Sequence, residues 1–352
     1  MTAPQWLIYG ANGYTGELIA REAARRGMRP ILAGRKRAAI EALAAELGLD
    51  YRVFGLDELK EIEPGLKGCS VVLHCAGPFS HTSKPMIDAC LLTHAHYLDI
   101  TGEPAVFEMV ATYDAVAKMA NVMLLPGVGF DVVPTDCLAA NLKSRLPSAT
   151  QLTLAFRGLG RLSRGTTLTG LEGMSTGGLV RRDGKLIPVP TAWKTRQIDF
   201  GSGQGPIATM TVPWGDVSTA YYTTGIPNIE VYMAFKPWFT RLAKSSRYFN
   251  WLLRSAPLQS YLQSQVKAMP PGPTAEQRAR STSYVWGEVR DAAGHIVTAR
   301  FTAPDGYTRT VRTALVIVDQ VLSGRAPIGF QTPAKAYGSE LIFTIEGVAW
   351  LP

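Results

Sequence analysis

The chain has 352 residues, 46% of them hydrophobic and 18% charged, with 36 lysines and arginines against 28 acids for a net charge of +8. Single cores stop growing near roughly 250–300 residues, so two cores are expected, and the apolar fraction excludes a disordered or fibrous chain. No apolar run reaches the ~18 residues that a transmembrane helix needs, and the first residues carry no basic-then-apolar leader, so a cytoplasmic protein is expected.

The first 125 residues alternate strand-like and helix-like segments. Gln5–Tyr9 reads as a short apolar strand, and 15–26 as a helix stopped by Gly27. A strand over 31–33 leads to a helix over 37–47, with Ile40, Leu43, Ala44 and Leu47 on one face. Strands follow over 51–54 and 70–75. A helix over 85–92 then starts with Pro85, where the missing N–H costs nothing. A strand over 96–100, a helix over 105–120 and a strand over 122–125 complete the series. Six strands separated by helices predict a doubly wound parallel α/β sheet, a Rossmann domain over residues 1–130.

After a further helix over 134–146 the pattern turns β-rich, with strands expected over 151–156, 208–212, 229–235, 282–291 and 295–303. Asp291-Ala-Ala-Gly294 reads as a hairpin turn, and 314–322 as a helix. This predicts a second, mixed and mostly antiparallel α+β domain over 131–330 for substrate binding or dimerisation. Residues 331–352 form a tail expected to return to the first domain.

The first strand runs into Gly10-Ala-Asn-Gly13-Tyr-Thr-Gly16. Between a strand and a helix, such glycines permit a tight turn, close approach of the backbone to a pyrophosphate, and an anion at the helix N-terminus. Pyrophosphate contacts are therefore expected from Gly10, Asn12, Gly13, Tyr14, Thr15 and Gly16. At the end of the second strand a carboxylate would bind the ribose 2′-hydroxyl of NAD. The residues here are Gly34-Arg35-Lys36-Arg37, with no acid before Glu41. Arg35 suits a 2′-phosphate, so NADP(H) is the expected cofactor.

Further cofactor contacts are expected where later strands end. The fourth strand ends in Ala76-Gly77-Pro78-Phe79, small enough to run beneath ribose and diphosphate. The fifth ends in Asp99-Ile-Thr101-Gly102-Glu103, and the sixth leads to Asp131. Polar residues just past strand C-termini face the ligand crevice, which places Asp99, Thr101 and Gly102 at the nicotinamide end. Asp99 or Glu103 could equally cap the following helix. Asp131 and Glu103 are the candidates for proton transfer or substrate anchoring.

These stretches, with Gly127-Val-Gly-Phe-Asp131, Pro134, Asp136 and Thr332-Pro-Ala334, resemble the saccharopine dehydrogenase-like oxidoreductases, a family that includes trans-acting enoyl reductases. The resemblance implies an N-terminal NADP-binding Rossmann domain, a mixed α/β second domain and a tail that returns to the first. It implies NADPH-dependent hydride transfer to a small or acyl substrate held between the domains. Alternatives are enoyl reduction of a hydrophobic thioester or lipid at a membrane surface, and a non-catalytic NADP-binding sensor or scaffold. Saccharopine itself would need converging cations. Arg157, Arg161, Arg164, Arg181 and Arg182 are available for that, but nothing in their spacing brings them together.

Other constellations carry less. Tyr232 and Lys236 have the spacing of a Tyr-x-x-x-Lys pair but lie in a strand-like run before Pro237. His81 could donate a proton in the crevice, but it reads better as a surface or strand-end histidine. The four cysteines (Cys69, Cys75, Cys90, Cys137) lack zinc spacing, read as buried hydrophobes, and no metal is expected. Between residues 231 and 275 there are six basic residues and no acid. No nucleic-acid module accompanies them, so no nucleic-acid partner is expected. Interleaved Trp and Tyr over 235–261 fit either peripheral contact with anionic lipid or a lid or homodimer contact.

Overall fold

The computed structural model describes residues 5–158, 160, 163–167, 177–245 and 255–352. The chain divides into two compact units. The first comprises Met1–Val133 with Tyr307–Ala336, and the second Pro134–Gly306 with Tyr337–Pro352. The sequence pattern predicts a first domain over 1–130 and a second over 131–330. In the structure a late segment of the chain instead folds into the first unit.

In the first unit, β1 (Gln5–Tyr9), β2 (Ile31–Gly34), β3 (Tyr51–Val53), β4 (Cys69–His74), β5 (His96–Asp99) and β6 (Met123–Leu125) form a parallel sheet. A seventh strand, β15 (Gly329–Phe330), adds to β6, giving the order β15-β6-β5-β4-β1-β2-β3. The central strands β1 and β4 are buried apart from Gln5 and Ser70, as their apolar runs require. Helix α1 (Tyr14–Arg25) buries Gly16, Ile19, Ala20 and Ala23. Gly27 ends it at φ 76°, with Met28 N–H returning to the Ala23 carbonyl at 2.9 Å. Helix α2 (Arg37–Leu47) buries Ile40, Leu43 and Ala44 and ends at left-handed Gly48.

Three helices differ from expectation. Between β3 and β4 lies α3 (Leu59–Leu66), hidden in the sequence by Pro64 and Gly65. Helix α4 (Phe79–Thr93) begins six residues before Pro85, which sits inside it. The expected 105–120 helix is two, α5 (Pro104–Ala111) and α6 (Asp114–Met119). At their junction the N–H groups of Thr112 and Tyr113 bond three residues back, tightening the turn and breaking the axis.

In the second unit, α7 (Val133–Arg145) leads to β7 (Gln151–Arg157), then β8 (Gly178–Arg182), β9 (Lys185–Val189), β10 (Thr195–Ile198) and β11 (Ile207–Thr211). Next come α8 (Asp216–Thr224), β12 (Asn228–Ala234), α9 (Pro237–Ser245), α10 (Ala256–Ala268) and α11 (Ala275–Ala279). Strands β13 (Thr282–Arg290) and β14 (Ile296–Pro304) form the expected hairpin, with Gly294 at φ 89° in its turn. The sheet runs β10-β11-β12-β7-β13-β14 and ends on β16 (Ala349–Leu351), with β8 and β9 attached through β12. Among the described strands only β7 and β12 pair in parallel. Leu138 and Leu142 of α7 pack where β13 has Gly287, whose absent side chain lets the helix approach. Ala155, Ile198, Phe200, Tyr232 and Trp286 form a buried cluster across the strands.

The chain then enters α12 (Gly306–Leu322), which starts eight residues before the expected helix at 314. After β15 and α13 (Pro333–Tyr337), the terminal strand β16 (Ala349–Leu351) pairs with β14. The expected return of 331–352 to the first domain therefore stops at residue 336, because the backbone of β14 offers β16 its ladder partners.

Candidate functional site

The order of the first sheet reverses between β1 and β4, the position at which such sheets bind dinucleotides. There the chain leaves β1 through Gly10 at φ 80°. A Cβ on Gly10 would lie 2.8 Å from the Ala76 Cβ, and one on Gly16 only 2.3 Å from the Gly10 carbonyl oxygen. The two glycines thus let the turn press against β4 and against its own helix. The Gly10 and Ala11 N–H groups bond the Ala33 carbonyl at 2.8 and 3.1 Å, tying the turn to β2. Gly13 caps α1 and has no side chain to close the helix end. Asn12 lies over the end of β2, its Oδ1 3.0 Å from where a Gly34 Cβ would be. Tyr14 and Thr15 open α1, both half-buried. An open, positive helix end beside a backbone without side chains is the arrangement that holds a pyrophosphate, so these residues fit a dinucleotide.

Arg35 is exposed just past β2. Its guanidinium opposes the burial that pushes the Tyr9 hydroxyl up to about 12, which places it near that ring. Among the described residues Arg35 forms no ion pair, whereas Arg37 is paired with Glu41 at 2.9 Å.

Helix α4 starts on the other side of the reversal and is closed. Both Glu103 oxygens accept its first N–H groups, Oε1 from Phe79 at 2.9 Å and Oε2 from Ser80 at 2.8 Å. Glu103 therefore caps the preceding helix across the sheet, rather than the following one through its side chain. Asp99 braces the opposite flank. Its Oδ1 accepts the N–H groups of Thr101 and Gly127, each at 2.9 Å, and its Oδ2 accepts the Tyr97 hydroxyl at 2.7 Å. Burial pushes the Asp99 carboxyl up to about 6, against the pull of these three donors. Thr101 is fully buried, with its hydroxyl oxygen accepting the Glu103 N–H at 3.1 Å. The run Asp99-Ile-Thr101-Gly102-Glu103 thus ties the ends of β4, β5 and β6 into one floor.

His74, at the end of β4, is fully buried and neutral, pushed down to about 3 by burial. Its Nε2 meets the Thr82 hydroxyl at 2.9 Å, and that hydroxyl donates to the Ala76 carbonyl at 2.7 Å. The loop through Gly77 and Pro78 is held from below by this contact. His81 is exposed on the first turn of α4.

Asp131 lies above this floor. Its carboxylate lies against Gly102, where an added Cβ would be 3.0 Å from Asp131 Oδ2. Burial pushes the Asp131 carboxyl up to about 7, opposed by the Arg309 guanidinium. Arg309 is only 2% exposed and lies over the Phe130 ring at 5.8 Å. Tyr307 meets Phe130 at 6.0 Å and Tyr14 of the glycine turn edge-on at 5.1 Å, joining the Asp131 loop to the turn through three rings.

Residues 6–125 match the saccharopine dehydrogenase NADP-binding domain. A human protein named saccharopine dehydrogenase-like oxidoreductase is 28% identical over 152 residues, 37% of this chain and 35% of its own length. A Mycobacterium tuberculosis protein named a trans-acting enoyl reductase is 29% identical over 186 residues, 48% of this chain and 44% of its own. The chain thus spans less than half the length of these relatives. The N-terminal part of the chain is of the saccharopine dehydrogenase NADP-binding type, and the chain is similar to the saccharopine dehydrogenase-like oxidoreductases. Its fold agrees with that of saccharopine dehydrogenase (L-Glu forming) from Saccharomyces cerevisiae, with a TM-score of 0.68 at 12% identity over 99% of both chains.

In this saccharopine dehydrogenase-like chain the first unit is an NAD(P)-binding domain, and α12 supplies what sequence reasoning missed. Thr310 Oγ1 accepts the Phe130 N–H at 2.9 Å, and Thr313 donates to the Val128 carbonyl at 2.7 Å. With Tyr307 and Arg309 they hold the Asp131 loop from a segment about 180 residues away, and no local pattern signals that. The five arginines considered for a tricarboxylate do not gather among the described residues. Arg157 bonds Ser202 and Gln204, Arg164 the Met269 carbonyl, Arg181 the Val217 and Gly184 carbonyls, and Arg182 pairs with Glu230. Arg161 lies outside the described residues. Tyr232 donates to Glu230 from within β12, so the Tyr232/Lys236 pair is not helical. Among the described residues no cluster of His, Cys, Asp and Glu could hold a metal, and no helix is long and apolar enough to cross a membrane.

Proposed function

We propose that the protein is an NADPH-dependent reductase in which Asp131 carries the proton that accompanies hydride transfer. When bound, the nicotinamide supplies the hydride. Gly10, Gly13, Gly16 and the open end of α1 would hold the pyrophosphate, and Arg35 the 2′-phosphate. Asp99, Thr101 and Glu103 keep the floor rigid while Asp131 holds a proton near neutral pH, the condition for a general acid there. The observation that carries this reading is the chain of ring contacts, Phe130 to Tyr307 to Tyr14, that joins the Asp131 loop to a turn shaped for a dinucleotide; desolvation pushes the Asp131 carboxyl up to about 7. The preference for NADPH rests on Arg35, exposed at a strand end that lacks a carboxylate.

Calorimetric titration with NADPH and NADH tests the cofactor. Arg35→Asp is expected to weaken NADPH far more than NADH, and equal weakening would remove the 2′-phosphate assignment. The likeness to the mycobacterial protein favours an enoyl thioester as the acceptor to screen first. Tight NADPH binding without turnover of any acceptor would instead favour a sensor or scaffold, and turnover unchanged in Asp131→Asn would remove the proton role from Asp131.

A further inference from the structure

Helix α9 is amphipathic in an unusual sense, since one of its apolar stripes faces out. Phe239 turns inward and stacks on Phe235 at 4.9 Å. Trp238 and Leu242, one helical turn apart, are 61% and 58% exposed. Lys236, Arg241 and Lys244 are all exposed around that stripe. On α10, Tyr261 is 60% exposed. The sequence from 231 to 275 holds no acid that could neutralise these cations locally. The basic residues at 247 and 254 and the aromatic ones at 248, 249 and 251 lie outside the described residues.

An exposed Trp–Leu pair alone would suit any apolar partner. The surrounding charge decides between them. A second copy would bring an equally basic α9 face, whereas an anionic lipid surface offers both an apolar interior for Trp238 and Leu242 and counter-charge for the three cations. Trp is suited to that depth, having an apolar body and an N–H that stays at the headgroups. We propose that α9 docks the protein peripherally on anionic lipid, with Trp238 and Leu242 inserted and Lys236, Arg241 and Lys244 on the headgroups.

The test is co-sedimentation of the full chain with vesicles of phosphatidylcholine, with and without phosphatidylserine, at low and high salt. Binding is expected only with phosphatidylserine, and it should fall at least tenfold in Trp238→Ser/Leu242→Ser and in Lys236→Glu/Arg241→Glu/Lys244→Glu. NADPH affinity, measured on the same preparations, reports that each variant is folded. Binding that ignores phosphatidylserine, or survives both variants, overturns the proposal. So does a soluble dimer that the Trp238→Ser/Leu242→Ser variant converts to monomer, which would make a second copy the occupant.

Discussion

Glu103 lies beyond the end of β5, yet its carboxylate takes the N–H of Phe79, the first residue of α4, at 2.9 Å. A carboxylate on a helix N-terminus satisfies backbone donors and opposes the helix dipole at once. Of the two helices that begin at the strand reversal, α4 is closed in this way and α1 is left to a glycine. Glu103→Ala should therefore act as a lost cap and cost about 1–2 kcal/mol, with Glu103→Gln costing less because one oxygen still accepts. Urea denaturation of the two variants checks the order.

The glycines of the turn should separate folding from binding. Gly10→Ala and Gly16→Ala drive a methyl into Ala76 and into the Gly10 carbonyl, so each is expected to destabilise by about 1–3 kcal/mol. At Gly13, φ is −82°, and a Cβ meets the Gly10 carbonyl oxygen at 3.2 Å. Gly13→Val should keep the thermal transition close to that of the parent and lose NADPH binding. Retained affinity in that variant would take the pyrophosphate away from the turn.

Asp99 makes stability fall with rising pH. Its carboxyl titrates near 6 when folded against an ordinary 3.8, so the folded state holds the proton more tightly. The stabilisation is fully present below pH ~4 and is lost as pH rises through 6, about 3 kcal/mol in all. Asp99→Asn keeps an acceptor for the Thr101 and Gly127 N–H groups and does not titrate. The stability of the parent relative to Asp99→Asn should drop by that amount between pH 4 and 7.5, as measured by chemical denaturation at each pH. A flat difference would mean that the carboxyl titrates at its ordinary value in the fold.

Arg309 should set the titration of Asp131. The guanidinium pulls the carboxyl down against burial, so Arg309→Met is expected to move it above 7, while Arg309→Lys keeps the charge and moves it less. Carbon-13 NMR of the labelled Asp131 carboxyl reads this without any substrate. If turnover uses Asp131 as acid, its alkaline limb should move upward with the same variant, and Asp131→Asn should lower turnover by about 10²–10⁴-fold. An unmoved titration in Arg309→Met would leave Arg309 a packing residue only.

Much of the first unit was legible because parallel strands buried on both faces write unbroken apolar runs, and because Gly10, Gly13 and Gly16 stand where a strand becomes a helix. The second unit hid more. Strands β8 to β10 are short, and Arg182 and Arg196 on them, with Lys194 just before β10, look like loop charges until Glu230 and Glu288 supply their partners. Position alone puts Asp99 at the end of β5 and Glu103 just past it, but which backbone donors they serve depends on neighbouring strands. Arg309 was invisible, because the first half of α12 is rich in threonine and arginine and its partners lie far upstream.

The seventh strand of the cofactor unit, β15, is made of residues 329 and 330. During synthesis the β6 edge of that sheet must wait, with its N–H and C=O groups unpaired, until nearly the whole second unit has left the ribosome. The Asp131 loop waits equally long for Thr310 and Thr313. A unit that starts first thus closes only after most of the other has been made, and an excised fragment ending near residue 130 would bring an open sheet edge prone to pairing with other chains.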